Sequence, residues 1–143
     1  MFMRGQHELA KGTETGAFNA IREFHDALEI FLVVIADSVG VTKRTVRFHE
    51  YPGEIKNASG IEFVLGKIVD EVNDLRTPYK HHGTRPNPKA VSEVGAALEV
   101  VFEKNSERYL EAAFNDIGLS DIPAGDASHA LMELARESSV AGC

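Results

Sequence analysis

The chain has 143 residues, enough for one domain around one hydrophobic core. Hydrophobic residues make up 43% and charged residues 26%, an ordinary globular balance, and the formal net charge of −7 argues against broad non-specific duplex binding, so any nucleic-acid contact should be local. A single cysteine, Cys143, excludes an intramolecular disulfide and a thiolate zinc cluster and fits a reducing compartment.

Residues 1–15 carry glycines and mixed charge without a sustained period and are expected to be a flexible N-terminus. Met1 to Gly16 lacks the apolar segment of a signal peptide, and the most apolar run, Ile30 to Ala36, is far too short to span a membrane. A cytoplasmic location without membrane contact is expected.

From about Thr15 to Ser38 the pattern turns helical. Phe18, Ile21, Phe24, Leu28, Phe31, Leu32, Ile35 and Val39 fall at spacings of three and four, Arg22, Glu23, Asp26 and Glu29 line the other side, and Gly40 is a stop. His25, beside Phe24, reads as a partly buried histidine with satisfied hydrogen bonds. His7, His49 and His129 are isolated.

Val41 to Ser59 is ambiguous between a short strand and a turn of helix, with Pro52-Gly53 as a turn signal. Lys43, Arg44 and Arg47 lie in a stretch, Ser38 to His49, that contains no Asp or Glu. A solvated basic loop is the plain reading, and one strip of an RNA path is the sharper one.

Ser59-Gly60-Ile61-Glu62 has capping-box spacing. Ile61, Val64, Leu65, Ile68, Val72 and Leu75 then predict a helix to about Arg76, ended or kinked because Pro78 disfavours helical geometry at Thr77. Asn87-Pro88 is a helix start, and Val91, Val94, Leu98, Val101, Phe102 and Tyr109 carry that helix to about Phe114, with Asn105 interrupting the stripe. Gly118 ends it. A last helix is predicted over about Asp126 to Glu137, ahead of a frayed tail, 138–143. These elements make an all-α bundle of four to five helices over 16–137, with a small hairpin over 41–52 as the alternative.

The chemistry concentrates at the junction of the two middle helices. From Thr77 to Ser92 there is no Asp or Glu, while Arg76, Lys80, Arg85 and Lys89 cluster around His81 and His82. Positive charge on an acidic protein suits an anion, most simply a phosphate. Arginine offers a planar fork of donors that matches phosphate, and histidine titrates near neutrality as a general acid or base. Alternatively, Arg76 caps its helix through the dipole, with Lys80, His81 and His82 as a solvated turn. Glu71 or Asp74 could orient Arg76 through a helical ion pair. Asp26, Glu29, Asp70, Glu71 and Asp74 do not form the Glu-x-x-His pairs of a di-metal bundle, so no metal or other cofactor is expected.

Helix, then Arg76-x4-His81, then helix, resembles the HEPN superfamily of all-α RNA-targeting domains. The run from Leu75 and Arg76 through Lys80-His81-His82-Gly83 to Pro86, followed downstream by Phe114-Asn-Asp-Ile-Gly-Leu-Ser-Asp121, looks like a group of uncharacterised bacterial HEPN-like proteins. The likeness covers roughly Ala17 to Glu137 in helix order, and its specific part is Arg76 to Gly83. One departure stands out: the residue after the arginine, commonly a polar amide in that family, is Thr77, followed by Pro78.

The resemblance implies metal-independent cleavage of RNA. The ribose 2′-hydroxyl would attack the adjacent phosphorus and leave 2′,3′-cyclic phosphate ends. His81 would move the proton, Arg76 would stabilise the transition state, and Lys80, His82, Arg85 and Lys89 would hold phosphates. It also implies a homodimer with a composite site, a toxin or defence setting, and an antitoxin or sensor partner. The alternative is a non-catalytic HEPN-like module that binds RNA or protein.

Overall fold

The computed structural model describes residues 1–82, 86–112 and Phe114, with 78–82 described as backbone only. The long apolar stripe folds into α2, Glu14–Val39, and buries Ile21, Phe24, Leu28, Phe31, Leu32 and Ile35. Its start is fixed by Thr13, whose hydroxyl accepts from the Gly16 N–H at 2.9 Å. Its end is fixed by Gly40, whose φ of +83° is the left-handed conformation that glycine adopts without strain. The other described helices α1 (Phe2–Leu9), α3 (Tyr51–Ser59), α4 (Lys67–His82) and α5 (Pro88–Asn105) all pack against α2. Most of the described residues are helical and none forms a strand, so the all-α expectation holds over them and the hairpin alternative does not.

Four local expectations change. The N-terminus, expected to be loose, forms α1 and buries Met1 and Phe2. Gly5, one of the glycines of that segment, is a contact surface: a Cβ there would sit 2.6 Å from the Phe24 ring. Gly95 on α5 approaches the same ring from another helix, at 3.0 Å for a Cβ. Phe24 therefore fills the space that two glycines leave between α1, α2 and α5.

Second, Pro52-Gly53 is no turn. Pro52 lies in the first turn of α3, where its missing N–H has no helical acceptor to serve. A 3-10 turn, Phe48–Glu50, leads into that helix. Third, Ser59 closes α3 rather than opening α4, and Gly60 terminates it at φ +73°. Residues 60–66 form a loop, with Leu65 at φ +57°. Fourth, α4 runs through Pro78 to His82 instead of ending at Arg76. Ile68, Val69 and Val72 anchor its first turns in the core, and the Thr77 hydroxyl donates to the Asn73 carbonyl at 2.7 Å. Packing and this local bond outweigh the pre-proline bias against helix.

Asn105, which breaks the apolar stripe, is fully buried and fully employed. Its Oδ1 accepts from the Val64 N–H at 2.9 Å, and its Nδ2 donates to the Val64 carbonyl at 3.0 Å and the Val101 carbonyl at 2.8 Å. The carboxamide thus supplies both groups of a missing backbone partner and ties the 60–66 loop to α5. After Asn105 the helix widens into a π turn, Ser106–Leu110, from which Arg108 donates to the Glu62 carbonyl and Tyr109 to the Ile61 carbonyl, each at 2.7 Å. Phe114 closes the core by stacking on Phe102, ring centres 4.5 Å apart. The predicted helix over 126–137 and the 138–143 tail lie outside the described residues.

Candidate functional site

α4 places its basic residues through its own periodicity. Ile68, Val72 and Arg76 fall at i, i+4 and i+8 and so occupy one row of the helix. The first two are buried, and Arg76, at the end of the row, is half-buried. An arginine there can lay its aliphatic stem along the core edge and keep its guanidinium at the rim. No ion pair joins Arg76 to Glu71 or Asp74 among the described residues. The acid that senses it is Asp26 on α2. The His25 imidazole contributes most to holding the Asp26 carboxyl below the usual carboxylate range, and the Arg76 charge acts in the same direction.

His25, next to Asp26 on α2, is only 4% exposed. Its ring stacks on Phe48 with centroids 4.1 Å apart and planes 16° from parallel. Its Nδ1 has no hydrogen-bond partner among the described residues, contrary to the satisfied histidine expected there. Two carboxylate oxygens, Asp26 Oδ1 and Glu29 Oε2, are each 3.8 Å away. That separation is longer than an ordinary hydrogen bond, so the contact of His25 with Asp26 is a weak one. The cluster of His25, Asp26, Phe48 and Arg76 was not assembled from the sequence. Its one signal was the position of His25 on the apolar stripe, four after Ile21 and three before Leu28.

Lys80 and His81 follow Arg76 along the last turns of α4, and His82 is its final residue. On a continuous helix the Lys80 position shares a row with Arg76. The His81 position lies about 140° around the axis and about 7.5 Å along it from the Arg76 position. The register of one helix therefore does not by itself converge Arg76 and His81. The side chains of Lys80, His81 and His82, and all of Arg85, lie outside the described residues. Lys89 is exposed on the first turn of α5, and its backbone N–H donates to Asn87 Oδ1 at 2.8 Å, the cap predicted for that helix. Thr77, in the position where a polar amide was expected, spends its hydroxyl on its own helix.

Comparison with protein-family models, with curated proteins and with solved structures gave no match. Function therefore has to be argued from this chain's own residues. Among the described residues no three His, Cys, Asp or Glu side chains are grouped to hold a metal ion, and no helix is long and apolar enough to cross a membrane. Arg76 thus stands half-buried at the edge of the core, with a carboxylate of the neighbouring helix in its field, at the head of an acid-free basic segment.

Proposed function

We propose that this chain is an RNA-directed helical module of HEPN-like type that cleaves RNA without a metal ion, as a homodimer. The observation that carries the proposal is Arg76: it continues the buried row of α4, acts on Asp26 of α2, and opens the segment from Thr77 to Ser92 that holds Lys80, His81, His82, Arg85 and Lys89 and no acid. A guanidinium at the edge of the core can stabilise charge that develops on a phosphorane-like transition state.

In this reaction the 2′-oxygen bonds to phosphorus, the bond from phosphorus to the 5′-oxygen breaks, one proton leaves the 2′-hydroxyl and another reaches the 5′-oxygen. His81 of one copy takes the first proton and His81 of the second copy gives the other. The separation of Arg76 and His81 along one helix supports a composite site, because a second copy can supply what one register does not. Lys80, His82, Arg85 and Lys89 hold flanking phosphates. A toxin or defence setting, restrained by an antitoxin or sensor, follows from the HEPN likeness.

The test is cleavage of a labelled single-stranded RNA in EDTA by wild type, His81→Ala and Arg76→Ala. The expected result is wild-type cleavage that survives the chelator, leaves cyclic phosphate ends, spares the all-deoxy strand and is lost in both variants. Absence of wild-type cleavage with intact RNA binding would instead support a binding module. That second reading is favoured by the same helical separation if the chain is monomeric in solution.

A further inference from the structure

The second acid-free stretch, 38–49, sorts its cations into two kinds. Lys43 is committed to internal structure: its ammonium lies 3.0 Å from Glu50 Oε2 and 3.7 Å from Glu54 Oε1. Glu50 also accepts from the Arg47 backbone N–H at 3.2 Å, and its own N–H donates to the Arg47 carbonyl at 2.8 Å. The two glutamates that follow the loop are thus occupied in shaping it. Arg44 and Arg47 are exposed, and neither guanidinium has a hydrogen bond or ion pair among the described residues. Other described cations are engaged: Arg4 with Glu23, Lys11 with Glu8, Lys56 with Glu62, Arg108 with a carbonyl, and Arg22 over the Phe18 ring. Lys67, Lys89 and Lys104 also lack a described partner, but Lys89 belongs to the basic segment already described, and Lys67 and Lys104 each stand singly on a helical turn.

The backbone that carries these arginines is anchored on both sides, by Lys43 on Glu50 and by Phe48 on His25. Phe48, next to Arg47, stacks on His25, and the 3-10 turn it begins packs on α4. Asp26, beside His25, lies in the field of Arg76, so the stack of Phe48 on His25 sets the turn that follows Arg47 on the same side of α2 as the residue Arg76 acts on. In the other direction the loop follows α2, and Arg44 borders a cleft of about 150 Å³ whose wall includes Val33, Asp37, Val46 and Tyr51. Unpaired guanidiniums beside an aromatic ring and apolar wall suit a flexible phosphate chain whose bases can turn inward. A carboxylate such as Asp37 can accept from base N–H groups.

We propose that Arg44 and Arg47 form a second contact for single-stranded RNA, running from the Arg76 site across Phe48 to the Arg44 cleft. This rests on the RNA-directed reading above and extends its substrate path onto the loop that joins α2 to α3. Each arginine holds one phosphate, and the cleft by Tyr51 receives a base.

The test is binding of a short fluorescein-labelled, 2′-O-methylated oligouridylate, which resists cleavage, followed by anisotropy across a salt series. The proteins are wild type, Arg44→Gln/Arg47→Gln, Arg76→Ala and, as control, Lys104→Gln, an exposed cation elsewhere. Both loop arginines are exposed, so the double variant should keep the wild-type circular dichroism and melting temperature. Its affinity should fall about tenfold at low salt, and its salt slope should drop by about 1.4, from roughly 0.7 per phosphate contact on a single strand. Lys104→Gln should stay within about twofold of wild type on the same electrostatic reasoning. Wild-type binding that Arg76→Ala weakens and the double variant leaves unchanged would overturn this strip alone. No binding by the wild type would overturn the RNA-directed reading and the strip together. Displacement by polyglutamate as effective as by unlabelled RNA would overturn RNA as the occupant.

Discussion

Asn105 offers a sharp test of how α4 is held. Replacing it with alanine removes three hydrogen bonds and leaves the Val64 N–H and C=O without their partner. Each lost bond is worth about 1 kcal/mol net, and a buried group left unpaired costs about 1–3 kcal/mol. Val64 is half-buried, so water can recover part of its loss, and the Val101 carbonyl lies within a helix. The expected cost of Asn105→Ala is therefore about 2–4 kcal/mol, a large share of the roughly 5–15 kcal/mol that holds a domain together. Asn105→Asp retains the acceptor for Val64 N–H but turns an oxygen toward two carbonyls. It should be at least as damaging near neutral pH and recover partly on acidification, when a protonated carboxyl regains a donor. Urea denaturation followed by circular dichroism measures both, and amide exchange at Val64 should speed up in either variant. An Asn105→Ala protein within about 0.5 kcal/mol of wild type would refute the reasoning, since that is the scatter of ordinary surface substitutions.

Three further outcomes are expected. Gly5→Ala puts a methyl 2.6 Å from the Phe24 ring and should cost about 1–3 kcal/mol in urea unfolding, as overpacked cores do; an unchanged midpoint would mean α1 is not docked as described. His25→Phe keeps a ring beside Phe48 and removes an unpartnered buried nitrogen, so stability should hold or rise; a clear loss would show that Nδ1 has a needed partner. Asp26 has a folded pKa below its ordinary 3.8, so the folded chain binds that proton more weakly than the unfolded chain. Its contribution is full above about pH 4 and fades as pH falls through the depressed value. The stability gap between wild type and Asp26→Asn should be flat near neutrality and close on acidification. It should stay under about 1 kcal/mol, because Asp26 is half-exposed, and a gap that widens in acid would contradict the sign.

The helices that bury a long apolar face were legible in the sequence. The spacing from Ile21 to Ile35 places α2, and Asn87-Pro88 gives the start of α5. What escaped depended on partners distant in sequence. α1 is short and contains a glycine, and its helix is secured by Phe2 and by the fit of Gly5 against Phe24. Asn105 looked like a flaw because the backbone it serves, at Val64, is 41 residues away. The capping-box match at Ser59 misled because Gly60 also permits a left-handed helix end, and that option won. At the candidate site, Arg76 was identifiable from local charge, whereas its link to Asp26 and the stack of His25 on Phe48 required the packing of α2 against α4 and the 3-10 turn.

The π turn at Ser106–Leu110 makes the chain sensitive to a change of length rather than of composition. It carries the helix past its ordinary phase, so that Arg108 and Tyr109 meet the carbonyls of Glu62 and Ile61. Deleting Ser106 would let the backbone relax into a regular α-helix. Residues after the deletion would nearly recover their phase, because a π turn winds less per residue than an α-helix, but Arg108 and Tyr109, inside the window, would be turned and shifted along the axis. Both tethers would be displaced from the loop that introduces α4, although neither contacting side chain had been altered. Changes of length that the fold tolerates should therefore avoid this five-residue window even where its side chains vary.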